Sequence, residues 1–267
     1  MTSSKRQLKP DQPLWSMGTQ KLKDGDMYSE TDLISVIVLA CKRPEITQQC
    51  LASTLRALKD YKGEIEWIFI ENGECEENYR LFKSLDLERK VIIQQSNYGI
   101  CEGLNQGLAL SRGEYVFILE NDWICNIQDE FLTKAIKILK SEKYVGAVQL
   151  RAIHDPNENW GIGKPEYSPW SCTIDRVQDA GFTLIERLTD DNQPYLLANH
   201  PNGYNNNPII IKKSILRQMG PMPEAEIGAD PRHGESEYQQ IYREVCQWTA
   251  HILTPIYYHA GQKTTPF

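Results

Sequence analysis

Two carboxylates that flank an amide follow directly on a run of four apolar residues in the segment VFILENDW, residues 116–123. The apolar run has the length and composition of a buried strand, which would place Glu120, Asn121 and Asp122 at its carboxyl end. Ligands bind at that end in open α/β sheets. Two neighbouring acids repel each other unless positive charge lies beside them, and a divalent cation with oxygen ligands is the usual solution. The segment alone predicts either a metal site or an acidic turn after a strand.

Strands and helices alternate before this segment. Residues 33–41, LISVIVLAC, predict a buried strand, and Pro44 in the first helical position opens a helix. A strand over 64–70, a helix over 76–85, a strand over 90–95 and a helix from Ile100 follow. Gly103 and Gly107 within that helix predict close packing against the sheet or a ligand. The alternation indicates a mostly parallel sheet with helices on both faces.

The second half of the chain is less regular. After a helix near Phe131 and a strand over 145–150, residues 151–207 are polar and predict a long loop region, too irregular for the core. A strand over 209–211, a helix over 214–219, a helix around Tyr238 and a strand over 251–257 complete the chain.

Composition excludes several classes of protein. The 267 residues carry a formal net charge of −7 without a long basic block, so nucleic acid is not an expected partner. The seven cysteines are scattered and form no CxxC pair, which argues against a zinc site or a disulfide framework and favours a reducing compartment. No apolar run is long enough to cross a bilayer. We expect a cytoplasmic protein, soluble or peripheral to a membrane, with no transmembrane segment.

Five motifs occur in a characteristic order: IENG at 70–73, NYG at 97–99, RGEYVFILEND at 112–122, GESEYQQIYR at 234–243 and HAG at 259–261. Together with ACKRP at 40–44, they resemble the nucleotide-sugar glycosyltransferases of the GT-A fold, and the inverting family 2 members are closest in pattern. The resemblance implies a Rossmann-like α/β fold with a smaller acceptor-side region. It also implies an extension at 1–32, one domain at 33–261 divided into nucleotide-binding (33–123) and acceptor-binding (124–261) halves, and a tail at 262–267.

The resemblance implies a donor site at the strand ends, with Glu71 accepting a hydrogen bond from the nucleotide base. A UDP-sugar is the first expected donor. In the family, the metal motif is Asp-x-Asp, and here Glu120 stands in the first position. Asp122 and His259 are the implied ligands of Mn²⁺ or Mg²⁺. The residues implied in donor binding are Ala40, Arg43, Glu71, Asn97, Asn105, Glu120 and Asn121. Asn97 and Asn105 could instead brace the loops.

Transfer to an acceptor hydroxyl requires a carboxylate that takes its proton. Glu237 is the first candidate for this base because it lies six positions before Arg243, the usual offset in the family, and Glu235 is the second. The acceptor, expected to be a glycan, is assigned to the region 151–207. Trp160 and Trp170 would there stack on sugar faces or anchor the loop, and Asn206 would bind hydroxyls.

These observations favour a metal-dependent inverting glycosyltransferase. The alternative is a catalytically silent GT-A-like domain that binds a nucleotide or a glycan. A different Rossmann-like enzyme, such as a dehydrogenase, is disfavoured because no GxGxxG motif follows the first strand.

Overall fold

The structure is a computed structural model that describes residues 33–126, 130–150, 183–199, 204, 208–223, 233–246, 248–252 and 256–260. The first of these ranges alternates strands and helices as the sequence predicts. Its elements are β1 (Ile34–Ala40), α1 (Pro44–Ala57), β2 (Ile65–Asn72), α2 (Glu76–Ser84), β3 (Lys90–Gln95), α3 (Ile100–Leu110), β4 (Tyr115–Glu120) and β5 (Trp123–Cys125). None of the helices in the described part of the chain is long and apolar enough to cross a membrane.

The later described residues add further elements to the same compact unit, which begins at Asp32. They are α4 (Phe131–Ser141), β6 (Val145–Gln149), β7 (Thr183–Leu188), β8 (Pro194–Asn199), β9 (Ile209–Lys212), α5 (Lys213–Met219), α6 (His233–Val245), β10 (Trp248–Ile252) and β11 (Tyr257–His259).

One nine-stranded sheet has the order β3-β2-β1-β4-β9-β6-β10-β8-β7. The pairings of β1 with β2 and β4, of β2 with β3, and of β6 with β10 are parallel, whereas β9 and β8 run antiparallel to both of their neighbours. Seven of these nine strands therefore point the same way, and the mostly parallel sheet that the alternation predicts is confirmed. The strands β5 and β11 form a separate antiparallel pair.

Helices cover both faces of the sheet. Alternate side chains of β1 belong to different clusters of buried residues: Val36 and Val38 pack with residues of α1, α2 and α4, whereas Ile37 and Leu39 pack with residues of α3, α5 and α6. The continuous apolar run of β1 is explained by this burial on both faces, which is typical of a parallel strand.

The two glycines of α3 allow that helix to lie close to β1. A Cβ atom at Gly103 would come 2.7 Å from Cδ1 of Leu39, and one at Gly107 would come 2.6 Å from Cγ2 of Ile37. The close packing that the glycines predict is therefore packing against the sheet. It places the first turn of α3 beside the carboxyl ends of β1 and β2.

Two predictions about the second half are wrong. Residues 151–207 were expected to be too irregular for the core, but β8 within them is largely buried, with Tyr195 2% and Leu197 5% exposed. The neighbouring β7 is an edge strand, and its exposed Glu186 and Arg187 give it a polar composition. The residues of the strand predicted over 251–257 belong instead to two strands, β10 in the large sheet and β11, which pairs with β5.

Candidate active site

The carboxyl ends of β1, β2 and β4 meet at one edge of the sheet. Ala40 pairs with Glu71 of β2, and Leu39 pairs with Glu120 of β4. The parallel register therefore brings together side chains from three separate parts of the sequence. Most of the residues expected in the donor site lie at this edge or in the turns that follow these strands.

A left-handed turn follows β1. Lys42 and Arg43 have φ angles of 57° and 55°, which cost about 1–2 kcal/mol per residue for side chains other than glycine. The carbonyl of Lys42 accepts hydrogen bonds from Nδ2 of Asn78 (2.8 Å) and from Nδ2 of Asn121 (3.2 Å). The hydroxyl of Thr47 donates to the carbonyl of Arg43 at 3.0 Å. These bonds hold the backbone of the turn in one conformation, and so fix the point from which the side chain of Arg43 departs.

Glu71 is fully buried and supports the same turn. Its Oε1 accepts hydrogen bonds from the backbone N–H groups of Lys42 (3.2 Å) and Cys75 (3.4 Å), and its Oε2 accepts one from Nδ2 of Asn78 (2.6 Å). Burial raises the pKa of this carboxyl above its usual range, although the three hydrogen bonds oppose that rise. Both carboxylate oxygens thus accept hydrogen bonds from within the chain, and Glu71 supports the turn that carries Arg43.

One carboxylate oxygen of Asp122 contacts two side chains, a guanidinium and an imidazole. Its Oδ2 lies 3.1 Å from Nη1 of Arg43 and 3.2 Å from Nε2 of His259. Burial would raise the pKa of Asp122, but His259 and Arg43 bring it below its usual range, so this carboxylate is ionised. Among the residues that the structure describes, the buried Oδ1 of Asp122 has no hydrogen-bond partner.

The small sheet explains how His259 reaches Asp122. In the pairing of β11 with β5, His259 lies opposite Trp123, and the two rings are 4.9 Å apart. The N–H of Ala260 donates to the carbonyl of Asp122 at 2.7 Å, which continues this pairing beyond β11. The ladder therefore fixes the imidazole against the carboxylate.

Glu120 lies in an environment opposite to that of Asp122. Burial raises its pKa well above the usual range, the negative charges of Asp122 and Glu235 raise it further, and Arg43 lowers it. The two acids of the LEND segment are therefore driven to different protonation states, with Asp122 ionised and Glu120 holding its proton more tightly. Such a separation of pKa values is common where carboxyl groups have different chemical roles.

The helix α6 brings Glu235, and not Glu237, to this edge. Glu235 is half-buried and close enough to Glu120 to raise its pKa, whereas Glu237 is exposed. The two residues are about 200° apart around the helix axis because each residue turns an α-helix by about 100°. Tyr238, one turn after Glu235, is fully buried. The geometry thus favours the second of the two expected bases.

Three amides expected to bind donor make hydrogen bonds within the protein. Oδ1 of Asn97 accepts from the N–H of Gly99 at 3.0 Å, and Oδ1 of Asn121 accepts from Nη2 of Arg43 at 3.3 Å. The side chain of Asn105 bonds both backbone groups of Met222, at 2.8 and 3.0 Å. These residues brace the loops that surround the site.

Two supporting residues were missed from the sequence. Asn78 ties Glu71 to Lys42, as described above. The side chain of Asn72 holds the NYG turn by donating to the carbonyl of Gly99 (2.8 Å) and accepting from the N–H of Tyr98 (3.2 Å). The asparagine of the IENG motif, at the end of a buried strand, was the available signal for Asn72. For Asn78, a residue in a helix with no special pattern, the sequence offers none.

The oxygen and nitrogen atoms of Asp122 and His259 suit a divalent cation that is also bound by the diphosphate of the substrate. The described residues contain no group of three or more His, Cys, Asp or Glu side chains arranged to hold a metal ion by themselves. Asp122 nevertheless offers a buried carboxylate oxygen without a partner in the described chain, and His259 adds an imidazole beside it. One or two protein ligands, completed by substrate phosphates and water, are a common arrangement for Mg²⁺.

The expected acceptor residues Trp160, Trp170 and Asn206 lie outside the described residues, as do the extension at 1–32 and the tail at 262–267. Gly261 of the HAG motif also lies outside them.

Residues 35–198, more than half of the chain, match the family model described as Glycosyl transferase family 2. Arg43, Glu71 and the LEND segment fall inside the match, whereas Glu235 and His259 lie beyond it. The chain matches none of the curated proteins with which it was compared.

Solved structures share the fold. A crystal structure of S. aureus TarS 1-349 in complex with UDP-GlcNAc is 14% identical, with a TM-score of 0.60 over 87% of this chain and 59% of that one. The mannosyltransferase PcManGT from Pyrobaculum calidifontis, in complex with GDP-Man and Mn²⁺, is 17% identical, with a TM-score of 0.56 over 86% of this chain and 57% of that one. This chain thus spans less than two thirds of the length of these structures. The GT-A fold is confirmed, and the chain belongs to glycosyl transferase family 2.

Proposed function

We propose that this protein is a metal-dependent inverting glycosyltransferase that moves a sugar from a nucleoside-diphosphate sugar to a hydroxyl of a glycan or another acceptor. The observation that carries the proposal is the convergence of Arg43, Asp122 and His259 at one sheet edge, with Glu235 approaching from α6. Positive groups and a cation site suit a diphosphate leaving group, and a separate carboxylate suits an acceptor proton.

In this proposal, Glu235 takes the proton of the acceptor hydroxyl while the acceptor oxygen attacks C1 of the donor sugar. The bond from C1 to the diphosphate oxygen breaks, and its electron pair leaves with the nucleoside diphosphate. Attack from the face opposite the leaving group inverts the configuration at C1. The base must therefore lie across the sugar from the diphosphate.

The leaving group gains negative charge as the bond to C1 breaks. The guanidinium of Arg43 can stabilise this charge with little reorganisation, because the carboxylate of Asp122 and the amide oxygen of Asn121 already orient it. Asp122 and His259 would hold Mn²⁺ or Mg²⁺, which would supply Lewis-acid stabilisation of the diphosphate.

A release assay tests the proposal. The protein is incubated with UDP-, GDP- and dTDP-sugars in the presence of Mn²⁺, and the released nucleoside diphosphate is measured, with water serving as acceptor where no better one is present. UDP-GlcNAc and GDP-Man are the first donors to test, because the structurally similar TarS and PcManGT were solved with them. We expect release that EDTA abolishes. Binding of a sugar nucleotide without any release would instead indicate a catalytically silent domain.

A further inference from the structure

The amide of Asn105 is engaged by the backbone of a single distant residue. Its Nδ2 donates to the carbonyl of Met222 at 3.0 Å, and its Oδ1 accepts from the N–H of Met222 at 2.8 Å. Met222 is only 2% exposed. A side-chain amide that bonds both backbone groups of one residue holds that residue in a fixed place and orientation, as a backbone pairing would.

The segment that Asn105 holds also contacts the start of α6. The hydroxyl of Tyr238 donates to the carbonyl of Gly220 at 2.8 Å. The carbonyl oxygen of Pro223 lies so close to Gly234 that an added Cβ would come within 2.6 Å of it. Residues 220–223 therefore form a bracket between α3 and α6, and we call this segment the 220–223 bracket.

A direct contact between the two helices accompanies the bracket. A Cβ added at Gly234 would also collide with Sγ of Cys101. Cys101 and Asn105 lie one turn apart on the same face of α3. One turn of α3 thus abuts the first turn of α6 directly, and the next turn reaches it through the bracket. Both contacts bear on the backbone immediately before Glu235.

We propose that Asn105 is a positioning residue that fixes Glu235 through the 220–223 bracket and does not bind the donor. The inference rests on the proposed role of Glu235 as the base, and it replaces the donor-binding role that the family resemblance implies for Asn105. Both groups of the amide, its Nδ2 and its Oδ1, bond the backbone of Met222, which orients the side chain toward the 220–223 bracket. Loss of the amide frees the bracket and lets the start of α6 shift relative to the sheet.

A double-mutant cycle tests the inference. Asn105→Ala is made in the parental protein and in Glu235→Gln. Gln106→Ala is the matched control, because its amide donates to Oε1 of Glu102 on the same helix, at 3.0 Å. The readouts are nucleoside diphosphate release at saturating donor with Mn²⁺, using UDP-GlcNAc or GDP-Man, whichever is turned over faster, and the Kd of the corresponding nucleoside diphosphate.

We expect Asn105→Ala to lower the rate of release roughly 10- to 10²-fold in the parental protein, since misplacing a catalytic group by about 1 Å has effects of that size. The Kd of the nucleoside diphosphate should not change. In Glu235→Gln, which lacks the base, Asn105→Ala should cause no further loss. Gln106→Ala should behave as the parental protein does.

Two results would overturn the positioning role while leaving the base in place: an equal further loss in the Glu235→Gln background, or a weaker Kd in Asn105→Ala. Release at the parental rate in Glu235→Gln would instead overturn the base itself, and with it the inference. If Asn105→Ala does not fold, Asn105→Asp keeps the acceptor for the N–H of Met222 but loses the donor. Gly234→Ala disturbs the same contacts from the side of α6, because its Cβ would press on Cys101 and on the carbonyl of Pro223. Each must show the same non-additivity with Glu235→Gln, and additivity in either contradicts the inference.

Discussion

His259 Nε2 lies 3.2 Å from Oδ2 of Asp122, although the two residues belong to distant parts of the sequence. The two-stranded pairing of β11 with β5 produces this contact, because it aligns His259 with Trp123, the residue after Asp122. Arg43 shares the same carboxylate oxygen from the opposite end of the chain. The carboxylate therefore holds together three segments of the site, and its removal should affect the site more than the rest of the fold.

Asp122→Asn should abolish turnover and remove the dependence of nucleotide binding on the cation. The amide keeps the shape of the side chain but has neither the charge that pairs with Arg43 nor a second oxygen for a metal ion. Calorimetric titration of UDP and GDP, with Mn²⁺ and with EDTA, measures the effect. Asp86→Asn, at an exposed position, is the control and should retain the parental behaviour. Equal enhancement of binding by Mn²⁺ in Asp122→Asn and the parental protein would rule out Asp122 as a metal ligand.

Glu71→Ala should weaken donor binding more than it slows the reaction of bound donor. The substitution leaves the buried N–H groups of Lys42 and Cys75 without their acceptor, which costs about 1–3 kcal/mol of unfolding free energy and loosens the turn that carries Arg43. Urea unfolding measures the first effect, and titration with a sugar nucleotide measures the second. Glu77→Ala, at an exposed position of α2, is the control. If Glu71→Ala is destabilised but binds the donor with unchanged affinity, Glu71 has no role in donor binding.

Glu66, a buried carboxylate near the amino end of β2, should make the stability of the fold depend on pH. Glu66 accepts hydrogen bonds from Nε of Arg112 (2.8 Å) and from the N–H of Gly113 (3.2 Å), and the hydroxyl of Ser35 also donates to it. Although burial raises the pKa of Glu66, these bonds with Ser35 and Arg112 lower it below its usual range overall.

Because the folded pKa lies below the unfolded value of about 4.3, Glu66 stabilises the fold above that pH and loses its contribution as the pH falls through the folded pKa. Glu66→Gln should therefore be less stable than the parental protein at neutral pH, and the difference should shrink in acid. Urea unfolding of both proteins between neutral and acidic pH measures it. A difference that stays constant over this range would show that the charge of Glu66 contributes nothing.

The sequence predicts the first half of the fold well for identifiable reasons. Strands such as β1 are buried on both faces and read as continuous apolar runs, and Pro44 marks the start of α1. The acids Glu71, Glu120 and Asp122 follow such strands, so their meeting at one sheet edge follows from the parallel order. By contrast, the edge strand β7 carries the adjacent charged residues Glu186 and Arg187, and has neither a continuous apolar run nor a regular alternation.

The supporting side chains could not be predicted because their partners are distant in sequence. Nothing near Asn105 indicates that its amide bonds Met222, which depends on how α3 packs beside α5 and α6. The position of Glu235 on the buried side of α6, however, had a usable signal. The buried Tyr238 lies three residues after Glu235, and therefore on the same side of α6. Glu237, next to Tyr238 in sequence, lies off that face.

The most direct test of the proposed mechanism compares Glu235→Gln with Glu237→Gln in the release assay, at saturating donor and with Mn²⁺. Glutamine keeps the size of the side chain but cannot accept the acceptor proton. We predict that Glu235→Gln loses about 10²–10⁴-fold in rate with normal nucleotide binding, while Glu237→Gln retains the parental rate. Parental activity in Glu235→Gln together with a large loss in Glu237→Gln would contradict the account.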